Sequence, residues 1–179
     1  AYMNTIFTGL YERDVTDANY DYMPVLAGAD PVWNADYTVA TVDLNTAAKF
    51  SNGNSVTAWD VVNTYRMHLT PAFASTLNGD IAPFLDMTKG NESVEYVDAD
   101  TVKFHFADPY FQATGVMSLG ILDSSVVGNY TAPAAADYDY NSNATYYGVG
   151  AGPFMYDDID TTNSNVKVVA VPNYWNGAV

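Results

Sequence analysis

Residues 49–69, KFSNGNSVTAWDVVNTYRMHL, combine the end of a strand, a tight turn and the start of a helix. Asn52 and Gly53 are the residue types that adopt positive φ in such a turn. Thr57 is placed as an N-cap and Asp60 follows three positions later, which is the spacing of a capping box. Apolar residues then recur at helical spacing until a proline two residues beyond the stretch predicts the helix end. The corner is therefore structural, and no catalytic side chain is expected in it.

Alternating apolar residues on both sides of this corner predict further elements. Residues 37–44 predict a strand with one buried face, and residues 94–106 predict a hairpin around an Asp-Ala-Asp turn. Residues 154–175 predict two strands across a polar turn. Near the chain start, residues 6–11 place four apolar side chains on one face and predict a short helix. Residues 111–127 predict a short helix that leads into a buried segment.

Acidic residues dominate the charge of the chain. Six Lys and Arg oppose 21 Asp and Glu, for a net charge of −15. A nucleic-acid binder needs the opposite sign, and an anionic membrane surface is disfavoured for the same reason. Such a surface repels itself unless its carboxylates are protonated or screened, so an acidic or very salty exterior and an ordinary acidic surface both stay open.

The chain contains no cysteine, which excludes disulfides, zinc–thiolate sites and cysteine nucleophiles. Three N-x-S/T sequons make Asn91, Asn129 and Asn143 candidate N-glycosylation acceptors. Together with the composition, these sequons favour a glycoprotein outside the cell or at its surface. Any membrane anchor is expected in parts that are not in this chain, because no apolar run approaches the ~18 residues needed to span a bilayer.

No catalytic or metal-binding constellation is present. His68 and His105 have no partner at metal or triad spacing. His68 is expected to act as a cation near a helix C-terminus, and His105 is expected to face solvent from a strand. Residues 137–143 resemble the start of a calcium loop but lack its glycine, and a solvated acidic loop is the preferred interpretation. The sequence therefore predicts neither enzyme activity nor a cofactor.

The order of the segments resembles the family 5 extracellular solute-binding proteins, the peptide, nickel and oligosaccharide receptors of ABC importers. The corner carries the family pattern K-F, N-G and T-A-x-D-V at residues 49–61. The flanking segments agree in order; they are IFTGLYERDV (6–15), MPVLAGADPVW (23–33), VEYVDADTVKFHFADPYF (94–111), GVGAGPFMY (148–156) and VPNYWNG (171–177). Asn45, Ala151 and Phe154 depart from the family pattern and indicate a divergent member.

The resemblance implies an α+β fold with a mixed β-sheet and short helices, as in one lobe of a two-lobed periplasmic-binding-protein-like (type II) fold. Residues 1–179 are expected to form a single domain, most of the N-terminal lobe, without its opening strand and without the second lobe. By analogy, cleft-facing positions would be Met3, Asn4, Phe73 and Gly120. For Phe73, a hydrophobic plug under its loop is an equal alternative.

The function implied by the resemblance is extracellular binding of a solute, an oligopeptide first of all, by closure of two lobes without catalysis. The solute would be delivered to the permease of an ABC transporter. The alternative is a stand-alone cell-surface structural or assembly protein built on the same lobe. An unpaired sheet edge would then allow self-association.

Overall fold

Antiparallel strand pairs and short helices build the structure, a computed structural model that describes residues 3–19, 21–73, 75–131, 149–160, 162 and 165–177. The helices are α1 (Met3–Ile6), α2 (Ala58–Leu69), α3 (Asn78–Ile81), α4 (Ala113–Val116) and α5 (Ser124–Val127). The strands are β1 (Tyr11–Arg13), β2 (Tyr22–Pro24), β3 (Val32–Trp33), β4 (Val39–Asp43), β5 (Val94–Tyr96), β6 (Thr101–His105), β7 (Phe154–Asp160) and β8 (Asn165–Ala170).

A four-stranded sheet of order β3-β4-β6-β5 forms the centre of the fold, with each neighbouring pair antiparallel. Ala40 and Val42 of β4 are buried and lie opposite Phe104 and Val102 of β6. The predicted one-sided burial of residues 37–44 is thus confirmed, because alternate side chains of a strand point to opposite faces. The two other predicted strand pairs, β5–β6 and β7–β8, are confirmed as well.

Helix α2 covers the buried face of this sheet and begins as predicted. Its capping box is complete: the Thr57 hydroxyl accepts from the backbone N–H of Asp60, and the Asp60 carboxylate accepts from the backbone N–H of Thr57. The helix ends at Leu69, before a residue held extended by the following proline. Inside, the rings of Tyr65 and Phe104 meet edge to face with centroids 4.9 Å apart.

The Asp60 carboxylate joins the start of α2 to a distant part of the chain. Oδ2 accepts from the Thr57 backbone N–H and hydroxyl at 2.8 and 2.6 Å. Oδ1 accepts from the Ser124 backbone N–H and hydroxyl at 2.9 and 2.6 Å. Asp60 is only 4% exposed. Its charge therefore receives four donors in place of water, which makes its burial tolerable.

The turn before α2 holds the same distant segment. Asn52 and Asn54 donate from their amides to Asp123 Oδ2 at 2.8 and 2.9 Å. Burial raises the pKa of the Asp123 carboxyl, but hydrogen bonds from Ser125 and the two asparagines outweigh burial and leave that pKa below its usual range. Of the two turn residues predicted to have positive φ, Gly53 has it, at 92°, and Asn52 does not, because glycine alone provides the conformation that this turn needs. Hydrogen bonds from the turn and from α2 thus hold residues 122–125 against the start of this helix.

The helix predicted over residues 6–11 is wrong, because only Ile6 of this range is helical. Helix α1 ends at Ile6, and Tyr11 already belongs to β1. Between them the backbone is paired with another segment, since Ile121 N–H donates to the Thr8 carbonyl at 3.0 Å. A Cβ on Gly9 would lie 2.5 Å from a backbone oxygen, so this close approach fixes the local conformation. Tertiary pairing overrides the helical spacing of the apolar residues.

His105 does not face solvent, contrary to the expectation. Its side chain is 12% exposed, and Nε2 lies 2.7 Å from a carboxylate oxygen of Glu95 on the neighbouring strand. The Glu95 side chain therefore lies over the face of β6 that the alternation pattern predicted to be exposed to solvent. Strand alternation predicts the face of a side chain but not what covers it.

Replacing Asp60 with Ala is expected to lower the free energy of unfolding by about 3 kcal/mol or more, because four donors lose a charged acceptor in a buried site. Urea denaturation measures this change. The matched control is Asp108→Ala, at an exposed loop position. The control should change stability by less than about 0.5 kcal/mol. Equal effects of the two substitutions would contradict the role given to Asp60.

Candidate functional site

An open groove of about 740 Å³ lies between the chain start, the end of α2 and the segment 118–122. Its apolar walls are formed by Phe7, Val15, Leu77, Leu119 and Leu122. The polar groups that reach it include Glu12, Arg13, Tyr22, His68 and Ser118. Apolar walls with a few polar groups are typical of sites for small ligands.

Two glycines allow the floor of the groove to form. A Cβ on Gly120 would lie 2.7 Å from the Cβ of Phe7, and one on Gly9 would lie 2.5 Å from the carbonyl oxygen of Ser118. Real Cβ atoms do not approach other atoms so closely, so the two backbones can lie against each other only with glycine at both positions. Gly120, a predicted site residue, therefore lines the groove as part of its scaffold.

Glu12 and Arg13 bring an acidic and a basic side chain to the groove. Burial raises the pKa of the Glu12 carboxyl above its usual value, and hydrogen bonds with Thr8 and Gly9 oppose this shift only in part. The Arg13 guanidinium lies 4.6 Å from the centroid of the Tyr22 ring, in a cation–π contact. A half-buried carboxyl and a cation thus reach the same groove.

His68 is not the helix-end cation that the sequence predicted. Burial lowers the pKa of its imidazole to about 4, so the ring is neutral at pH 7. Nδ1 lies 2.6 Å from the hydroxyl oxygen of Ser75. A neutral imidazole has one donor and one acceptor nitrogen, so a ring beside the groove can form hydrogen bonds with an uncharged polar ligand group.

The remaining predicted site residues, Phe73, Met3 and Asn4, are not among the described residues that line the groove. Phe73 ends the 3₁₀ turn Pro71–Phe73 and is half-buried; it falls between His68 and Leu77 in the chain, both of which line the groove. Met3 and Asn4 open helix α1, and their side chains lie outside the described part of the structure.

Sequence patterns identified none of four polar groove residues as a ligand contact: Glu12, Arg13, Tyr22 and His68. In a chain with 21 acidic residues and 15 tyrosines, no spacing distinguishes Glu12 from the other acidic residues or Tyr22 from the other tyrosines. Arg13 carried a stronger signal, because the chain has only six cations. Their common location depends on the pairing of residues 7–10 with residues 118–121, which local patterns do not encode.

Other predicted features are not part of the described groove lining. Asn91 and Asn129 are exposed, whereas Asn143 and the acidic loop at residues 137–143 lie outside the described residues. Across the described ranges, no group of three or more His, Asp or Glu side chains is placed to hold a metal ion. None of the helices described is both long enough and apolar enough to cross a membrane.

A family model for the bacterial extracellular solute-binding proteins, family 5 Middle, matches residues 21–179. A dipeptide-binding protein from Lactococcus lactis subsp. cremoris is 30% identical over 152 residues, which cover 76% of this chain and 26% of that relative. The chain therefore spans about a quarter of the length of the curated relative that it matches.

Solved structures share the fold. NikZ from Campylobacter jejuni in complex with Ni(L-His) matches with a TM-score of 0.79 and 20% identity, over 100% of this chain and 32% of that chain. Listeria monocytogenes OppA bound to peptide matches with a TM-score of 0.78 and 23% identity, over 97% of this chain and 34% of that one. AppA from Bacillus subtilis in complex with a nonapeptide matches with a TM-score of 0.77 and 24% identity, over 97% of this chain and 32% of that chain. The predicted fold, a lobe of the type II architecture, is confirmed.

Substitution of Gly9 by Ala is expected to destabilise the chain by about 2 kcal/mol, because the added Cβ meets a backbone carbonyl that cannot rotate away. Thermal or urea unfolding measures the change. Gly79→Ala in α3 is the matched control, since a Cβ there meets nothing within 4 Å. The control should be neutral or slightly stabilising. A Gly9→Ala protein as stable as the control would contradict the close approach.

The lowered pKa of His68 predicts a pH dependence of stability. The unfolded chain, with an ordinary histidine pKa near 6.5, takes up a proton that the folded chain resists until about pH 4. Stability present above pH 6.5 is thus lost progressively as the pH falls towards 4, by about 3 kcal/mol at most. His68→Asn should remove this part of the pH dependence. Urea unfolding at pH 7 and pH 4 measures it, and an unchanged difference between the two pH values would contradict the assignment.

Proposed function

The chain belongs to family 5 of the bacterial extracellular solute-binding proteins, and we propose that its groove is one wall of the site at which the complete protein binds a solute. The observation that carries this proposal is the apolar groove of about 740 Å³ with a small set of polar groups at its edge. Such a surface binds ligands by burial of apolar area, while the polar groups set orientation. The process is binding without catalysis, followed by delivery to the permease of an ABC transporter.

The proposed solute is an oligopeptide. The matched relative is named a dipeptide-binding protein, and two of the similar structures hold peptides. A peptide presents apolar side chains and main-chain amides together. Leu77 and Leu119 offer apolar contacts for the side chains, and neutral His68 offers a hydrogen-bonding partner for an amide. The second wall is proposed to come from another lobe that closes by a hinge motion.

The ligand-contacting positions that we propose are Phe73, Met3, Asn4 and Gly120. Gly120 exposes backbone in the floor of the groove, where a side chain would collide with Phe7. Phe73 follows α2 at the groove end that includes His68. The chain start reaches the groove through Phe7, three residues after Asn4. The comparisons give no support to the alternative of a stand-alone structural protein.

The test is to purify the complete protein, release any bound molecule with acid and identify it by mass spectrometry. The released fraction should contain peptides. The stripped protein should then bind a defined pool of dipeptides to nonapeptides in calorimetric titrations. The proposal fails if no peptide is released and the stripped protein binds none of the pool with a Kd below about 1 mM, an affinity worth only about 4 kcal/mol.

Phe73→Ala in the complete protein is expected to weaken peptide binding about tenfold, since loss of an aromatic contact of this size removes about 1.4 kcal/mol or more of burial. Titration with the same peptide measures the change. Phe111→Ala is the control, because Phe111 is 94% exposed and does not line the groove. If both substitutions leave Kd unchanged, Phe73 acts as a plug under its loop and not as a ligand contact.

A further inference from the structure

Two sequons lie beside the same face of helix α2 but differ in the exposure of their hydroxyl residues. Thr131, which completes the Asn129 sequon, is exposed. Ser93, which completes the Asn91 sequon, is 0% exposed. Both asparagines themselves are exposed. An enzyme that recognises N-x-S/T has to contact both the amide and the hydroxyl, so this difference separates two sites that look equivalent in the sequence.

The Asn129 sequon is held in a form that presents both groups. The buried Asn63 side chain donates to the Gly128 carbonyl at 2.8 Å and accepts from the Tyr130 N–H at 2.9 Å. These two bonds fix the backbone on either side of Asn129. The Thr131 hydroxyl donates to Asn129 Oδ1 at 3.0 Å, which brings the hydroxyl and the amide group together at the surface.

The Asn91 sequon is locked by a buried arginine. Arg66, which is 6% exposed, donates from Nε to the Asn91 carbonyl at 2.9 Å. It also donates to the Glu92 carboxylate and the Val94 carbonyl, at 3.0 and 3.1 Å. Exposing the Ser93 hydroxyl would require opening this segment. The buried guanidinium would then lose these three acceptors and keep only the Tyr130 hydroxyl, which lies 3.1 Å from Nη1. In the folded chain the Ser93 hydroxyl of this sequon is therefore inaccessible to an enzyme, although Asn91 is exposed.

We propose that Asn129 accepts an N-linked glycan on the folded protein and that Asn91 does not. The donor is an oligosaccharide activated as a lipid-linked phosphate or pyrophosphate. A bond forms between Asn129 Nδ2 and the anomeric carbon while the bond from that carbon to the phosphate oxygen breaks. The phosphate leaves with the electron pair, and the amide nitrogen loses one proton to a base.

A glycan at Asn129 is compatible with an open groove. Asn63 and Arg66 are three residues apart and share the face of α2 that supports both sequons. His68 lies two residues beyond Arg66, about 200° around the helix, and lines the groove on the other side. The α2 residues that contact the sequons and the α2 residue that lines the groove therefore lie on different faces of the helix.

The test is peptide mapping by mass spectrometry of the full chain purified from its native host. The peptide with Asn129 should carry a glycan and the peptide with Asn91 should be unmodified. Occupancy at Asn91, or an unmodified Asn129, would overturn the proposal. As a control for local sequence, the urea-unfolded chain is incubated with an oligosaccharyltransferase and a lipid-linked oligosaccharide, and both asparagines should then react. Failure of Asn91 to react when unfolded would overturn the explanation by burial.

Variants expressed in the same host separate glycan loss from misfolding. Thr131→Ala should abolish the modification of Asn129, and Thr131→Ser should restore it. Ser93→Ala should leave the glycan pattern unchanged. It should also unfold at the same or a higher urea concentration, because the buried Ser93 hydroxyl has no hydrogen-bond partner among the described residues. A glycan that survives Thr131→Ala would count against Asn129 as the acceptor.

Discussion

The structure depends on one buried carboxylate, that of Asp60. Its two oxygens face in different directions, one to the cap of α2 and one to Ser124, more than sixty residues later in the chain. A capping interaction that usually stabilises only a helix start here also fixes tertiary structure. Thr64, one turn on, continues the connection by accepting from the Leu122 N–H at 3.0 Å. The segment that follows the groove floor is therefore positioned by the helix start.

The groove follows from this anchorage. Residues 122–124 are held on α2, so the preceding residues 118–121 must lie against the chain start, where only glycine fits at positions 9 and 120. Two glycines support the same arrangement. Gly152 N–H donates to the Ile6 carbonyl at 2.8 Å, and a Cβ on Gly150 would collide with that carbonyl oxygen. The chain start is thus enclosed by two glycine segments. A rigid floor of this kind keeps a binding surface formed before a ligand arrives.

The sequence predicted the elements whose causes are local. The capping box at Thr57 and Asp60, the turn at Gly53 and the alternation around Val42 each depend on residues within a few positions, and all of them are confirmed. The resemblance to a family supplied the fold as a whole, because the order of segments carries long-range information. The groove could not be predicted from local patterns, since its walls come from segments more than forty residues apart. Likewise the neutral state of His68 arises from burial by distant residues and not from its place near a helix end.

The acidic surface bears on where such a chain is stable. Repulsion among carboxylates is relieved either by protonation or by salt. Hydrogen bonds from Thr16 to Asp14 and from Thr88 to Asp86 hold the pKa of both carboxyls below the usual range, and the backbone N–H of Asp100 does the same for Asp98. These three carboxylates therefore stay charged to a lower pH than carboxyls with an ordinary pKa. Acid neutralises them only at a lower pH than usual, and below about pH 4 it also charges the buried His68. At these three positions, screening by salt therefore relieves repulsion more readily than protonation does.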